Sequence, residues 1–121
     1  MTDRELLEAA ARVAGIEGTF FGSDNPIHTG IYQSRGEYYW NPLVSDSEAL
    51  RLAIQLRISI EFGDDSDCGP NFMAGYFKPD GRVAYAIEYE RVEQDAREAT
   101  RRAIVRAAAA LAGAGNEGER K

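Results

Sequence analysis

The run Tyr38-Tyr39-Trp40-Asn41-Pro42-Leu43, continuing into Ser45-Asp46-Ser47-Glu48-Ala49-Leu50-Arg51-Leu52-Ala53, decides the architecture of this chain. The aromatic residues of Glu37 to Trp40 predict a short strand, because rings pack well on a pleated, half-buried surface. Asn41-Pro42 ends it, since proline lacks a backbone donor and restricts the residue before it. Ser45 followed three residues later by Glu48 reads as a capping box. It opens a helix over 46–56 whose apolar stripe is Ala49, Leu50, Ala53, Ile54 and Leu56. Strand, break and helix thus follow one another without a linker.

Working outward, Thr2 and Glu5 form another capping box, with Asp3 and Glu5 where the helix dipole favours anions. Leu6, Leu7, Ala10, Val13 and Ala14 give the stripe of a first helix over 3–14, and Gly15 stops it. Two strands, Ile27 to Gln33 and Glu37 to Trp40, are expected on either side of Ser34-Arg35-Gly36. After the second helix the period switches to two: Ile58, Ile60 and Phe62 face one way, Arg57, Ser59 and Glu61 the other. A loop over Gly63–Pro70 leads to a hairpin with arms Asn71–Lys78 and Arg82–Tyr89 around the turn Pro79-Asp80-Gly81. Val83, Tyr85, Ile87 and Tyr89 share one face of the second arm. The small residues Ala84 and Ala86 share the other with Glu88, which lets a helix lie close. A last helix over 95–112 carries Asp95 as cap, the stripe Ala96, Ala99, Ala103, Ile104, Ala107 and Leu111, and Gly113 as stop.

The order α-β-β-α-β-β-β-α predicts a single α+β domain over 1–113, with an antiparallel-leaning sheet of about five strands and helices packed on it. Apolar side chains on both faces of the last hairpin permit helices on both sides. Residues 114–121 lack apolar content and are expected to form a flexible tail.

The Tyr38–Ala53 run and the C-terminal run Glu98-Ala99-Thr100-Arg101-Arg102-Ala103-Ile104-Val105-Arg106-Ala107-Ala108-Ala109 together resemble the phage ABA sandwich domain, a family of small tailed-phage and prophage proteins. The opening Asp3–Ala10 helix followed by Ala14-Gly15 is similar to the same pattern. The resemblance implies helices on both faces of a sheet and a phage origin. It implies no chemistry, because the matching residues are structural and the family's activity is largely unassigned.

Composition narrows the function classes. Twenty acidic residues against fourteen basic ones leave a net charge of −6, the wrong sign for bulk nucleic-acid binding. No apolar run approaches the roughly 20 residues of a membrane span, and the charged opening helix does not read as a signal peptide. The single cysteine, Cys68, has no partner for an internal disulfide and fits a reducing cytoplasm, which the phage resemblance implies is that of an infected bacterial host. Arginine outnumbers lysine 12 to 2, which suits bidentate pairing with carboxylate or phosphate and equally reflects a GC-rich genome.

Positive signs of catalysis are missing. His28 is the only histidine, so a two-histidine metal site or acid/base pair cannot form. Cys68 stands between Asp67 and Gly69, an acidic setting that disfavours a thiolate. Asp64, Asp65 and Asp67 are the densest carboxylates, but the twelfth position counted from Asp65 is Tyr76, where a calcium loop needs glutamate. No phosphate-binding loop, dinucleotide fingerprint or nucleophile elbow occurs. No cofactor and no metal are called for.

What remains suits binding. Phe20, Phe21, Tyr32, Tyr38, Tyr39 and Trp40 cluster in a Gly-rich segment, where rings either fill a core or stack on a planar ligand. Arg35, Tyr38 and Trp40 are the candidate ligand-binding residues, for phosphate contact and stacking, with His28 as a further donor. Taken with the phage resemblance, and by analogy with small phage proteins that neutralise host defences, the expected function is a non-enzymatic phage accessory protein that inhibits a host defence process by sequestering a nucleotide-type signal. Two alternatives are a protein–protein inhibitor or assembly factor, and a carboxylate- or metal-dependent enzyme acting on nucleotides. Homodimerisation is also expected, because a small open sheet exposes edge strands.

Overall fold

The computed structural model describes residues 2–34, 36–65, 69–77, 83–89 and 95–119. Its elements run α1 (Asp3–Ala14), β1 (Thr19–Phe21), a 3₁₀ turn (Pro26–His28), β2 (Gly30–Gln33), β3 (Tyr38–Trp40), α2 (Asp46–Leu56), β4 (Ser59–Asp65), β5 (Gly69–Phe77), β6 (Val83–Tyr89) and α3 (Ala96–Glu119). The chain is α+β; among the described residues there are three α-helices and two antiparallel three-stranded sheets, β1-β2-β3 and β4-β5-β6. The expected sheet of about five strands is therefore corrected to six strands in two sheets. The break at Asn41-Pro42 hands the chain to α2, and β4 then starts a new sheet instead of pairing with β3.

The helices join the sheets. α3 packs on β5 and β6, α1 packs on both α3 and β2, and α2 lies beside α3. A buried cluster collects Leu6 and Leu7 of α1, Ile31 of β2, Trp40 of β3, Leu52 of α2, Ala74 of β5, Ala86 of β6 and Val105 of α3. The close approach of α3 follows from small residues on both partners. Ala74 and Ala86 of the sheet meet a helix face on which Ala99, Ala103 and Ala107 are essentially inaccessible. The Ala84–Ala86–Glu88 face of β6 is the covered one, as its residue sizes suggest. Tyr85 and Ile87 on the opposite face are exposed, so helices cover one side of this sheet and not both.

The boundaries of α1 and α2 match the capping signals. Thr2 and Glu5 make the reciprocal capping box, and Gly15 ends α1 in the left-handed region. Three other expectations are corrected. The Ile27–Gln33 strand begins only at Gly30, because Asn25 caps a 3₁₀ turn over Pro26–His28 by accepting from the Ile27 amide at 3.0 Å. Asp64 and Asp65 belong to β4, and Gly69 and Pro70 to β5, so the acidic loop is shorter than expected. Gly113 does not stop α3, which continues to Glu119. Arg35, the segment Ser66–Cys68 with Asp67, the turn Pro79-Asp80-Gly81 and the last two residues lie outside the described residues, as do the side chains of Asp64 and Asp65.

Gly30 is demanded by its surroundings. Its φ is +142°, and a Cβ there would stand 2.5 Å from the Trp40 carbonyl oxygen. Gly113, by contrast, is helical with open space around it. Gly30→Ala is expected to destabilise by about 1–3 kcal/mol, while Gly113→Ala stabilises by roughly 0.5–1 kcal/mol. Urea unfolding of the two variants checks both signs.

Candidate functional site

Strand parity sorts the aromatic residues. In β3, Trp40 faces the core while Tyr39 pairs with Tyr32 on the other side of the sheet. On that outer side Phe21, Tyr32, Tyr39 and His28 form a row of rings with centroids 4.9–5.9 Å apart. Tyr38, two residues before Trp40, shares its face and leaves its ring partly accessible at the sheet margin.

Beneath Tyr38 lies a buried polar knot. The Glu48 side chain is almost fully enclosed. One of its oxygens accepts from the Asn41 backbone amide at 3.2 Å, and the other from the Tyr38 hydroxyl. Asn41, itself buried, donates through Nδ2 to the Thr29 carbonyl at 3.0 Å and accepts from the Leu43 amide at 3.0 Å. The expected Ser45–Glu48 capping box is therefore only half made. The Ser45 hydroxyl accepts from the Glu48 amide at 3.3 Å, but the carboxylate turns inward to the knot. Burial and this carboxylate push the Tyr38 phenol up to about 12, because ionisation would place a second negative charge beside Glu48.

A depression of about 240 Å³ opens above the knot, lined by Tyr38, Trp40, Glu48, Arg51, Gln33 and Gln55 among others. It meets a second, of about 550 Å³, at Ile16 and Gln33, and that one carries Phe21, Tyr32 and Glu17. Gln55 is committed, donating to the Ala14 carbonyl at 2.7 Å. Among the described residues, the Gln33 carboxamide and the Arg51 guanidinium have no hydrogen-bond partner and remain available to a ligand. Glu48, Arg51, Leu52 and Gln55 share one face of α2 at helical spacing. The polar members of that stripe, at i, i+3 and i+7, are the signal in the sequence for this depression, which the aromatic residues alone do not carry.

Two of the four candidate ligand residues, Tyr38 and Trp40, thus border one depression. Trp40 does so as a core residue only 7% exposed, which corrects its assignment as a free stacking ring. His28 is fully on the surface, against Tyr39 on the other side of the sheet. Strand parity separates it from Tyr38 and Trp40. Arg35 follows Ser34, which lines the second depression, but Arg35 itself lies outside the described residues.

The arginines of α3 are spent on the fold. Arg101 donates to the Leu43 carbonyl at 2.8 Å and to Asp46 at 2.6 Å. Arg102 reaches Asp3 of α1 at 3.0 Å instead of Glu98 one turn earlier. Arg106 pairs with the buried Glu88 and donates to the Ile87 carbonyl at 2.8 Å. Among the described residues no three His, Cys, Asp or Glu side chains converge as metal ligands, and no helix is long and apolar enough to cross a membrane. Comparison with known proteins finds no matching family, characterised protein or solved structure.

Two variants separate the roles of the β3 aromatics. Trp40→Ala is expected to cost about 3–5 kcal/mol, as a large core truncation. In the wild type one phenol should ionise near pH 12 in an ultraviolet titration. A phenol whose folded pKa is raised contributes stability that is complete below the ordinary tyrosine value of 10.0 and is lost as pH rises towards 12. Tyr38→Phe should remove that late step and flatten the alkaline loss of stability across the same window.

Proposed function

We propose that this chain is a small non-enzymatic binding protein that holds a nucleotide-type signal molecule over the Tyr38–Arg51 depression. The observation that carries the reading is the convergence at one opening of an accessible aromatic ring with a guanidinium and a carboxamide that have no hydrogen-bond partner among the described residues. A planar heterocycle stacks on such a ring, a carboxamide reads its donor and acceptor edge, and a guanidinium takes up phosphate. The depression continues past Ile16 and Gln33 into an adjoining one. The likeness of the Tyr38–Ala53 and Glu98–Ala109 runs to the phage ABA sandwich domain supports a setting in which sequestration blocks a host defence signal in the bacterial cytoplasm.

A protein–protein inhibitor is the second reading. It is favoured by a separate apolar groove of about 350 Å³ between α2, β4 and α3, flanked by exposed Leu50 and Phe62.

Native mass spectrometry and calorimetric titration with a panel of mono-, di- and cyclic nucleotides test the first reading. Binding should weaken at least about ten-fold in Arg51→Ala and Tyr38→Ala (a loss of roughly 1.4 kcal/mol), with Tyr38→Phe retaining most of it. The ligand should be released intact after heat denaturation. A shortened or hydrolysed product would make the protein an enzyme, and no adduct with any nucleotide would remove the reading.

A further inference from the structure

The two depressions that meet at Ile16 and Gln33 carry little positive charge. Among the described residues lining either one, Arg51 is the single cation. Two acidic side chains line them as well, Glu48 in the first and Glu17 in the second. Glu48 is committed to the Asn41 amide and the Tyr38 hydroxyl. Glu17 is exposed and has no hydrogen-bond or ion-pair partner among the described residues.

The backbone fixes where Glu17 stands. It lies in the short link between Gly15, the cap of α1, and Thr19, the start of β1. On one side of it the Ile16 amide donates to the Ala11 carbonyl at 2.9 Å. On the other, Gly18 passes so close to β2 that a Cβ would stand 2.3 Å from the Tyr32 carbonyl oxygen. The link is thereby anchored to both α1 and β2, with Glu17 between the anchors.

Size decides how far a ligand must reach. The first depression, about 240 Å³, falls below the roughly 300–1,000 Å³ of a small-molecule site. The second adds about 550 Å³. A nucleotide held at Arg51 and Tyr38 therefore extends past Gln33 towards Glu17, Thr19 and Ser34. A carboxylate and two hydroxyls suit the hydroxyls of a sugar and disfavour a second phosphate.

Resting on the nucleotide reading above, we propose that the site selects a nucleotide with a single negative charge, a phosphodiester such as a cyclic mononucleotide. Glu17 is the residue that turns away di- and triphosphates. One guanidinium matches one diester in charge and in bidentate geometry. A terminal phosphate monoester already carries about −1.5 to −2 at neutral pH. Each further phosphate adds charge that no described cation lining the depressions offsets. The net charge of −6 on the chain acts in the same direction.

Calorimetric titration at low salt, without divalent cations, tests this with four ligands for each common base: nucleoside, cyclic monophosphate, diphosphate and triphosphate. The wild type should bind the cyclic monophosphate at least about ten-fold tighter than the nucleoside. It should prefer it to the triphosphate by at least about five-fold. Arg51→Ala should bring the cyclic monophosphate down to the nucleoside level. Glu17→Gln keeps the shape of an exposed side chain and removes its charge. It should tighten triphosphate binding about two- to five-fold and leave the cyclic monophosphate unchanged. That gain should vanish at high ionic strength, where exposed charges are screened, whereas a steric role of Glu17 would persist. Affinity that rises with each added phosphate, or triphosphate binding indifferent to Glu17→Gln, overturns the charge selection and leaves the nucleotide reading in place. Failure of all four ligands with every base removes the nucleotide reading itself, and the selection with it.

Discussion

The fold hangs on one buried carboxylate. Glu48 is enclosed on the first turn of α2, where an unpaired charge would be strongly unfavourable. It is tolerated because the Asn41 amide and the Tyr38 hydroxyl both donate to it, and hydrogen bonds to a charged group contribute about 1.5–3 kcal/mol each. Those donors belong to β3 and to the turn that follows it. The carboxylate therefore ties the first sheet to the helical layer. Arg101 completes the connection by fastening α3 to the Leu43 carbonyl and to Asp46 at the start of α2. The Trp-Asn-Pro-Leu turn and the arginine-bearing helix, far apart in the chain, are two halves of one joint.

Local signals in the chain were legible where one element settled its own conformation. The capping residues and apolar stripes placed α1 and α2, and the Ala84–Ala86 face announced where a helix would lie. Expectation diverged from structure where tertiary partners decide. Thr19–Phe21 is too short for a periodic signal and becomes a strand only by pairing with Gly30–Tyr32. The division into two sheets depends on which strand accepts β4, and no residue of β4 encodes that choice alone. Glu48 looked like the far half of a capping box because its spacing from Ser45 is right. Its carboxylate turns inward because two buried donors offer a stronger site than one exposed amide.

The candidate site follows the same division. The aromatic segment borders a surface depression, and Tyr38 stands at its opening. Parity then assigned Trp40 to the core and Tyr39 to the outer ring row beside His28. The arginine-bearing helix α3 supplies three structural clamps, to α2, α1 and β6. Among the described residues, the guanidinium at the opening without a hydrogen-bond partner is that of Arg51. Its position was readable from its spacing to Glu48 and Gln55 on α2, since all three fall on one helical face.

Native-state hydrogen exchange of the Asn41 backbone amide tests the central claim most directly. If the Glu48 knot is the joint on which both sheets depend, this amide should exchange only through global unfolding, with the same free energy as the most protected amides of β5 and α3. Exchange of Asn41 through a low-energy local opening, while β5 and α3 stay protected, would show that the first sheet is an independently fraying appendage and that the knot does not hold the fold together.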